Sequence, residues 1–211
     1  MLNGKIVKIN NRFTKGHYAI QGHTAGRAFT NPMGACEAIK LKKSDIVVDI
    51  GAYVGEYSLY ASRFAQKVIA YEASPYTFQV LKMNKTANME IHHKSVVGDD
   101  RKEATLYLSK GIGATNSLVK KKNKSVIVPA INYNEVIKEA TVVKIDVEGG
   151  EYDYDIIHPN LRAIILEFHP IGDKWVAAHK IMDQLKRKGF KAAFPEPQFQ
   201  NGWDTNSAWI R

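Results

Sequence analysis

From Asp45 onward the chain alternates short runs rich in Val and Ile with longer stretches of helical pattern. This alternation constrains the fold more than any other feature. A short β-branched run bounded by turn residues suits a strand buried on both faces, and the segments between are long enough for helical crossovers. Strands are predicted at residues 46–50, 68–71, 91–97, 142–145 and 164–168, with helices at 57–64, 75–88, 133–138, 152–157 and 174–188. Such βα units give an α/β fold: a mostly parallel central sheet with helices on both faces. Ser74 caps a helix that starts on Pro75, and Gly189 closes the last one. Residues 104–108 and 126–130 read as two strands inserted beside the third core strand, and 190–193 with 208–210 as an antiparallel C-terminal edge. Residues 5–9 and 17–21 can pair as a hairpin, and 33–41 read as a helix. The chain thus divides into an N-terminal extension, 1–44, and a main domain, 45–211.

With 211 residues, 45% of them hydrophobic, the chain can bury one sizeable core. No apolar run approaches the roughly 20 residues needed to span a bilayer, and Met1 to Arg12 lack a signal-peptide pattern, so a soluble, cytoplasmic protein is expected. The single cysteine, Cys36, excludes an internal disulfide or a cysteine-based zinc site and reads as a small buried residue on a helix. The net charge of +9 favours anionic partners without specifying a fold. Part of the excess is local. Lys120, Lys121, Lys122 and Lys124 stand among polar residues and read as a mobile loop. Lys186, Arg187, Lys188 and Lys191 end an amphipathic helix, where cations suit the macrodipole.

The chemistry begins at Asp49-Ile50-Gly51-Ala52-Tyr53-Val54-Gly55, where an apolar strand turns through two glycines into a helix. A dinucleotide loop carries three glycines and cradles a pyrophosphate. An acid ahead of two glycines would repel that anion and suits a cofactor with an ammonium group and a cationic sulfur, S-adenosylmethionine. Glu72, at the end of the next strand, can hold both ribose hydroxyls. The expected cofactor contacts are Asp49, Gly51, Ala52, Tyr53, Gly55, Tyr57 and Ser58 in the first loop and helix, then Glu72, Ala73 and Ser74. Ser95, Val96 or Val97 would lie beside the adenine, although core packing is the stronger reading for the two valines, and Asp146 near the methionine part or the acceptor hydroxyl.

Three blocks, Val48-Asp49-Ile50-Gly51-Ala52-Tyr53-Val54-Gly55-Glu56-Tyr57-Ser58, Lys144-Ile145-Asp146-Val147-Glu148-Gly149-Gly150-Glu151 and Leu166-Glu167-Phe168-His169-Pro170, resemble the pattern of the FkbM-type methyltransferases. The resemblance covers about residues 45–170. It implies a Rossmann-like class I methyltransferase fold, S-adenosylmethionine as cofactor, and O-methylation of a sugar, glycan or related small-molecule hydroxyl. Asp146 and Glu148 are two positions apart at the mouth of the site, and Glu167 and His169 emerge from the adjacent strand. His169, with an ordinary pKa near 6.5, is the expected base, oriented by Glu167 or Asp146. A divalent metal on Asp146, Glu167 and His169 is the less favoured alternative.

Two other functions fit less well. The basic clusters suggest a nucleic-acid methyltransferase, and Lys144, Asp146 and Glu167 superficially match part of a ribose-methylating tetrad, but its second lysine has no place. A catalytically silent cofactor-binding module is opposed by the intact Asp49, Gly51, Gly55 and Glu72. Gly16-His17-Tyr18 and residues 21–27 could fold over the site as a substrate lid, or form an ordinary turn.

Overall fold

The computed structural model describes residues 6–9, 17–20, 35–109, 115–169, 175–194 and 205–211. An antiparallel hairpin, β1 (Ile6–Ile9) and β2 (His17–Ile20), precedes the core. In chain order there follow α1 (Ala35–Ala38), β3 (Ile46–Ile50), α2 (Glu56–Ser62), β4 (Lys67–Tyr71), α3 (Pro75–Asn84), β5 (Met89–His92), β6 (Ser95–Val97), β7 (Glu103–Leu108) and β8 (Lys124–Asn132). The chain then forms α4 (Tyr133–Val136), β9 (Val142–Ile145), β10 (Ala163–Phe168), α5 (Trp175–Arg187), β11 (Lys191–Ala192) and β12 (Thr205–Ile210). Residues 16 and 21–27, expected as part of a lid, lie outside the described residues, as do the outer ends of the expected hairpin and helix at 5, 21, 33 and 174.

The main sheet has the order β11-β12-β10-β9-β3-β4-β5. The pairs from β10 to β5 are parallel, and β12 runs antiparallel to both β10 and β11. Alternation along the strands supplies two faces. Val47, Val142 and Ile165 pack with α1 and α2, whereas Val48, Val143 and Ile164 pack with α4 and α5, and these six side chains are at most 1% exposed. Each such burial contributes about 1.5–3 kcal/mol, which is why the runs read as continuously apolar. This is the class I methyltransferase architecture, Rossmann-like, with the antiparallel C-terminal edge that residues 190–193 and 208–210 predict. Among the described residues no helix is long and apolar enough to cross a membrane.

Three expectations are corrected. The strand at 91–97 breaks after His92: β5 stays in the main sheet, and β6 joins a second sheet, pairing parallel with β8, which pairs antiparallel with β7. The helix at 152–157 is one 3-10 turn, Glu151–Asp153, followed by extended chain. Tyr154 and Ile156 are buried at a spacing of two, and the Tyr154 hydroxyl donates to the Val96 carbonyl at 3.0 Å, so packing at strand period overrides helical propensity. Finally, α3 stops at Asn84 and not at residue 88, because Asn88 donates to the carbonyls of Ser62 and Ala65 and draws the chain toward β5.

From β3 the chain moves outward to β4 and β5, then returns to place β9 on the other side of β3. Strand order reverses there, and the crevice outside the carboxyl ends of β3 and β9 is where open α/β sheets bind ligands. Asp49 pairs with Lys144 across β3 and β9, and Ile165 of β10 pairs with Lys144 in turn. With a side-chain period of two, Asp49, Lys144 and Glu167 are set on the same face at neighbouring strand ends.

Candidate active site

Two loops that touch each other make the crevice. In the β3–α2 loop the backbone is left-handed at Gly51 (φ 80°), Tyr53 (φ 54°) and Gly55 (φ 95°). A Cβ on Gly51 would lie 1.7 Å from the Asp146 carbonyl oxygen, and one on Gly55 would lie 2.7 Å from Leu81 of α3. Protein packing and left-handed backbone therefore favour glycine at both positions, most strictly at Gly51, where a backbone oxygen and not a side-chain end fills the space. On the facing loop Glu148 (φ 54°) and Gly149 (φ 103°) are left-handed as well. Tyr53 and Glu148 are the positive-φ non-glycine residues of the described chain, and both stand at the mouth, where strain of this kind concentrates in functional sites.

Behind the first loop lies Glu72. Its Oε2 accepts from the Tyr53 amide at 2.8 Å, and its Oε1 accepts from the Ser74 amide at 2.8 Å and the Thr77 hydroxyl at 2.7 Å. Burial lifts this carboxyl to about 7 despite those bonds. The expected ribose ligand is thus also the clasp that fixes the loop to the start of α3.

The floor is acidic. Asp49 is fully buried; its Oδ2 accepts from Ser58 Oγ at 2.6 Å, while Oδ1 has no hydrogen-bond partner. Burial raises its pKa, against the Lys144 charge and the Ser58 bond. Lys144 Nζ stands 3.7 Å from Asp49 Oδ1 and 3.1 Å from Asp146 Oδ2. Burial opposes its charge, but Asp146 and Asp49 prevail and hold the ammonium well above its ordinary pKa. Glu56 Oε1 is buried without a partner, and burial lifts that carboxyl to about 7.

At the other wall Glu151, fully buried, accepts from the Gly149 amide at 2.9 Å and from the His169 amide at 2.8 Å, and its Oε1 lies 3.3 Å from His169 Nδ1. His169 Nε2 is 3.8 Å from Asp146 Oδ1 and 3.7 Å from Glu148 Oε1. Burial pushes the imidazolium down, yet the Glu151 bond and the charges of Glu151, Asp146 and Glu148 lift it to about 9. This departs from the near-neutral imidazole expected of a base, because the ring is enclosed by carboxylates. Burial and the Asp146 charge raise Glu167 to about 8 against Lys144 and His169, and the two carboxyls share a hydrogen bond. Burial also works against ionised Asp146, but Lys144 and His169 hold it below its ordinary value. One ligand atom each from Asp146, Glu167 and His169 lie within 4.8 Å of one another, a closeness that suits a shared proton or a cation.

Exposure separates the expected residues into two groups. Gly51, Tyr53, Ala73, Asp146, Glu148 and Glu167 keep accessible surface. Asp49, Ala52, Gly55, Tyr57, Ser58, Glu72, Ser74, Ser95, Val96 and His169 are buried. Val96 packs in the core cluster that holds Tyr133 and Tyr154, in keeping with core packing as the stronger reading for the valines of this strand. The basic segment is not a free loop where it is described: Ser117 pairs with Tyr107, and Ser117 Oγ donates to the Glu148 carbonyl at 2.7 Å.

Residues 49–192 match the model of the Methyltransferase FkbM domain, well over half of the chain. The chain belongs to the FkbM methyltransferase family. It is similar in structure to the methyltransferase FkbM of Methylobacillus flagellatus KT, with a TM-score of 0.54 and 13% identity over 82% of this chain. That match spans 45% of the larger protein. A second similar structure is TYW2 of P. horikoshii in complex with MeSAdo, with a TM-score of 0.52 and 14% identity over 97% of this chain and 70% of that one. No curated protein sequence matches the chain.

Within this FkbM chain, sequence reasoning missed Glu56 and Glu151 as site residues and left Lys144 to the alternative reading. The signal for Glu151 is present, since Glu148, Gly149 and Glu151 share one block, but acids at that place also suit a helix N-terminus. Glu56 sits at a helix start for the same apparent reason, and only its buried, unpartnered oxygen distinguishes it.

Proposed function

We propose that this FkbM chain is an S-adenosylmethionine-dependent O-methyltransferase acting on a hydroxyl of a sugar, glycan or related small molecule. The observation that carries this reading is the acidity of the switch-point crevice in a protein of net charge +9. Asp49, Glu56, Glu72, Asp146, Glu148 and Glu167 converge there, with Lys144 and His169 as the cations among them. Asp49 Oδ1 and Glu56 Oε1 lack hydrogen-bond partners, and a buried polar atom left so costs about 1–3 kcal/mol. A ligand bearing an ammonium and a sulfonium offsets that cost, whereas a pyrophosphate would add to the repulsion. The groups therefore fit the cofactor: Asp49 and Glu56 suit its positive charge, and Glu72 has acceptor capacity left for a ribose hydroxyl.

When bound, S-adenosylmethionine supplies an electrophilic methyl group on a cationic sulfur. Glu167, accessible at the mouth, would lose its own proton to solvent when a cation binds beside it and would then take the proton of the acceptor hydroxyl. Its carboxyl, lifted to about 8 by burial and Asp146, binds that proton firmly once the site no longer holds the cofactor's positive charge. Asp146 shares the proton and is kept ionised by Lys144. His169 does not act as the base in this scheme; it is a positioning residue, an imidazolium that holds Asp146 and Glu148 in place and is itself held by Glu151. Calorimetric titration of the protein with S-adenosylhomocysteine, followed by transfer of labelled methyl from S-adenosylmethionine to a panel of sugars, tests the reading. Micromolar binding with label on a sugar oxygen supports it; a folded protein that binds neither cofactor form overturns it.

A further inference from the structure

The lysine-rich segment ahead of β8 is not absorbed by this account, and its position gives it a role. Ser117 Oγ donates to the Glu148 carbonyl and accepts from the amides of Val119 and Lys120 at 3.1 and 3.0 Å, so the segment is fastened to the catalytic wall. Lys120 Nζ stands 3.8 Å from Glu148 Oε2, an ion pair without a hydrogen bond. Lys122 is half-buried, and its ammonium donates to the Thr115 carbonyl. Burial lowers its pKa, with Glu148 opposing and Lys120 adding to the effect. Lys120 thus pairs with a carboxylate of the wall while the Lys122 ammonium is held by a neutral carbonyl, leaving positive charge beside an acidic floor.

We infer that Lys120 and Lys122 form an anion-binding rim that selects an acceptor carrying a carboxylate or phosphate close to the hydroxyl to be methylated, an acidic sugar. The inference rests on the proposed methyl-transfer reading and names the substrate class of that site. Opposite walls then take opposite charges: the floor holds a cationic cofactor, and the rim holds the anionic end of the acceptor. A nucleic acid fits worse. The second basic cluster, Lys186, Arg187, Lys188 and Lys191, lies where β11 begins, and Lys191 pairs with Ile210, which pairs with Ala163 at the start of β10. That is the opposite end of the parallel strands from the mouth, so the two clusters do not form one track for a phosphate backbone.

The test uses the whole protein saturated with S-adenosylhomocysteine and labelled at lysine, titrated by NMR with glucuronate, glucose 6-phosphate, glucose and oligouridylate. Both acidic sugars should shift Lys120 and Lys122 and bind at least about tenfold more tightly than glucose, the effect of one charge-assisted contact. In Lys120→Gln/Lys122→Gln the advantage should fall below about threefold, while the paired arginine variant keeps it and calorimetric S-adenosylhomocysteine affinity stays unchanged. Equal binding of glucose and the acidic sugars overturns the inference, as does an advantage that survives in the glutamine variant. Oligouridylate binding that strengthens with length and displaces the sugars assigns the rim to RNA instead. Failure of the unaltered protein to bind S-adenosylhomocysteine refutes the methyl-transfer reading, a separate outcome.

Discussion

Gly51→Ala distinguishes two reasons for a glycine at the mouth. If the glycine left room for the cofactor, alanine would weaken binding and spare the fold. In the structure the new Cβ meets the Asp146 carbonyl oxygen at 1.7 Å, a separation that real Cβ atoms do not show, so the two loops must part by more than an ångström. That movement strains the bond from the Asp146 amide to the Ile50 carbonyl, 3.0 Å long, worth about 1 kcal/mol. The φ of 80° adds a further 1–2 kcal/mol or so for a residue with a Cβ. Repacking losses at the β3–β9 contact bring the expected destabilisation to roughly 3–5 kcal/mol, a large fraction of the 5–15 kcal/mol typical of a domain. Urea unfolding followed by circular dichroism measures it. A stability change under about 1 kcal/mol with cofactor affinity lost would refute this reasoning and restore the ligand-space explanation.

Glu167→Gln should lower kcat by about 10² to 10⁴ while calorimetric cofactor affinity changes less than threefold; normal turnover would remove Glu167 as the base. His169→Gln should release Asp146 and shift the pH–rate profile, with methyl transfer persisting in part, whereas complete loss of the acid limb would return the base to His169. A chelator should leave initial rates unchanged; loss of activity restored by a divalent ion would instead assign Asp146, Glu167 and His169 to a metal. Arg162 donates to both oxygens of Asp45, and although burial pushes that carboxyl up, the bonds to Arg162, Lys42 and Thr141 hold it below its ordinary value. Its stabilisation is present above the usual carboxylate range and disappears as pH falls through the depressed folded pKa, so Arg162→Met should flatten the acid limb of the stability curve. An unaltered acid transition in that variant would contradict the pairing.

The positions of most core strands and the α/β class were legible because buried parallel strands leave unbroken Val and Ile runs, and the caps at Ser74 and Gly189 mark helix ends with residues that the geometry requires. The break between β5 and β6 was not, since His93 and Lys94 interrupt an apolar run without any glycine or proline. At the site, Asp49, Glu72, Asp146, Glu148 and Glu167 announced themselves by position at strand ends. The charge on His169 did not: it depends on Glu151, eighteen residues earlier in the chain, reaching the His169 amide and ring. A pattern of residues shows which strand a group leaves, and only the packed structure shows how many carboxylates surround it.

The claim that an acidic crevice receives a cationic cofactor is tested most directly by calorimetry of S-adenosylmethionine binding in buffers of different ionisation enthalpy. Burial holds Glu56 and Glu72 at about 7 and Glu167 at about 8, so each carries part of a proton near neutrality. A bound cation favours their ionised forms, so binding at about pH 7.5 should release on the order of one proton. Binding with no proton release at neutral pH, or with proton uptake, would contradict the account.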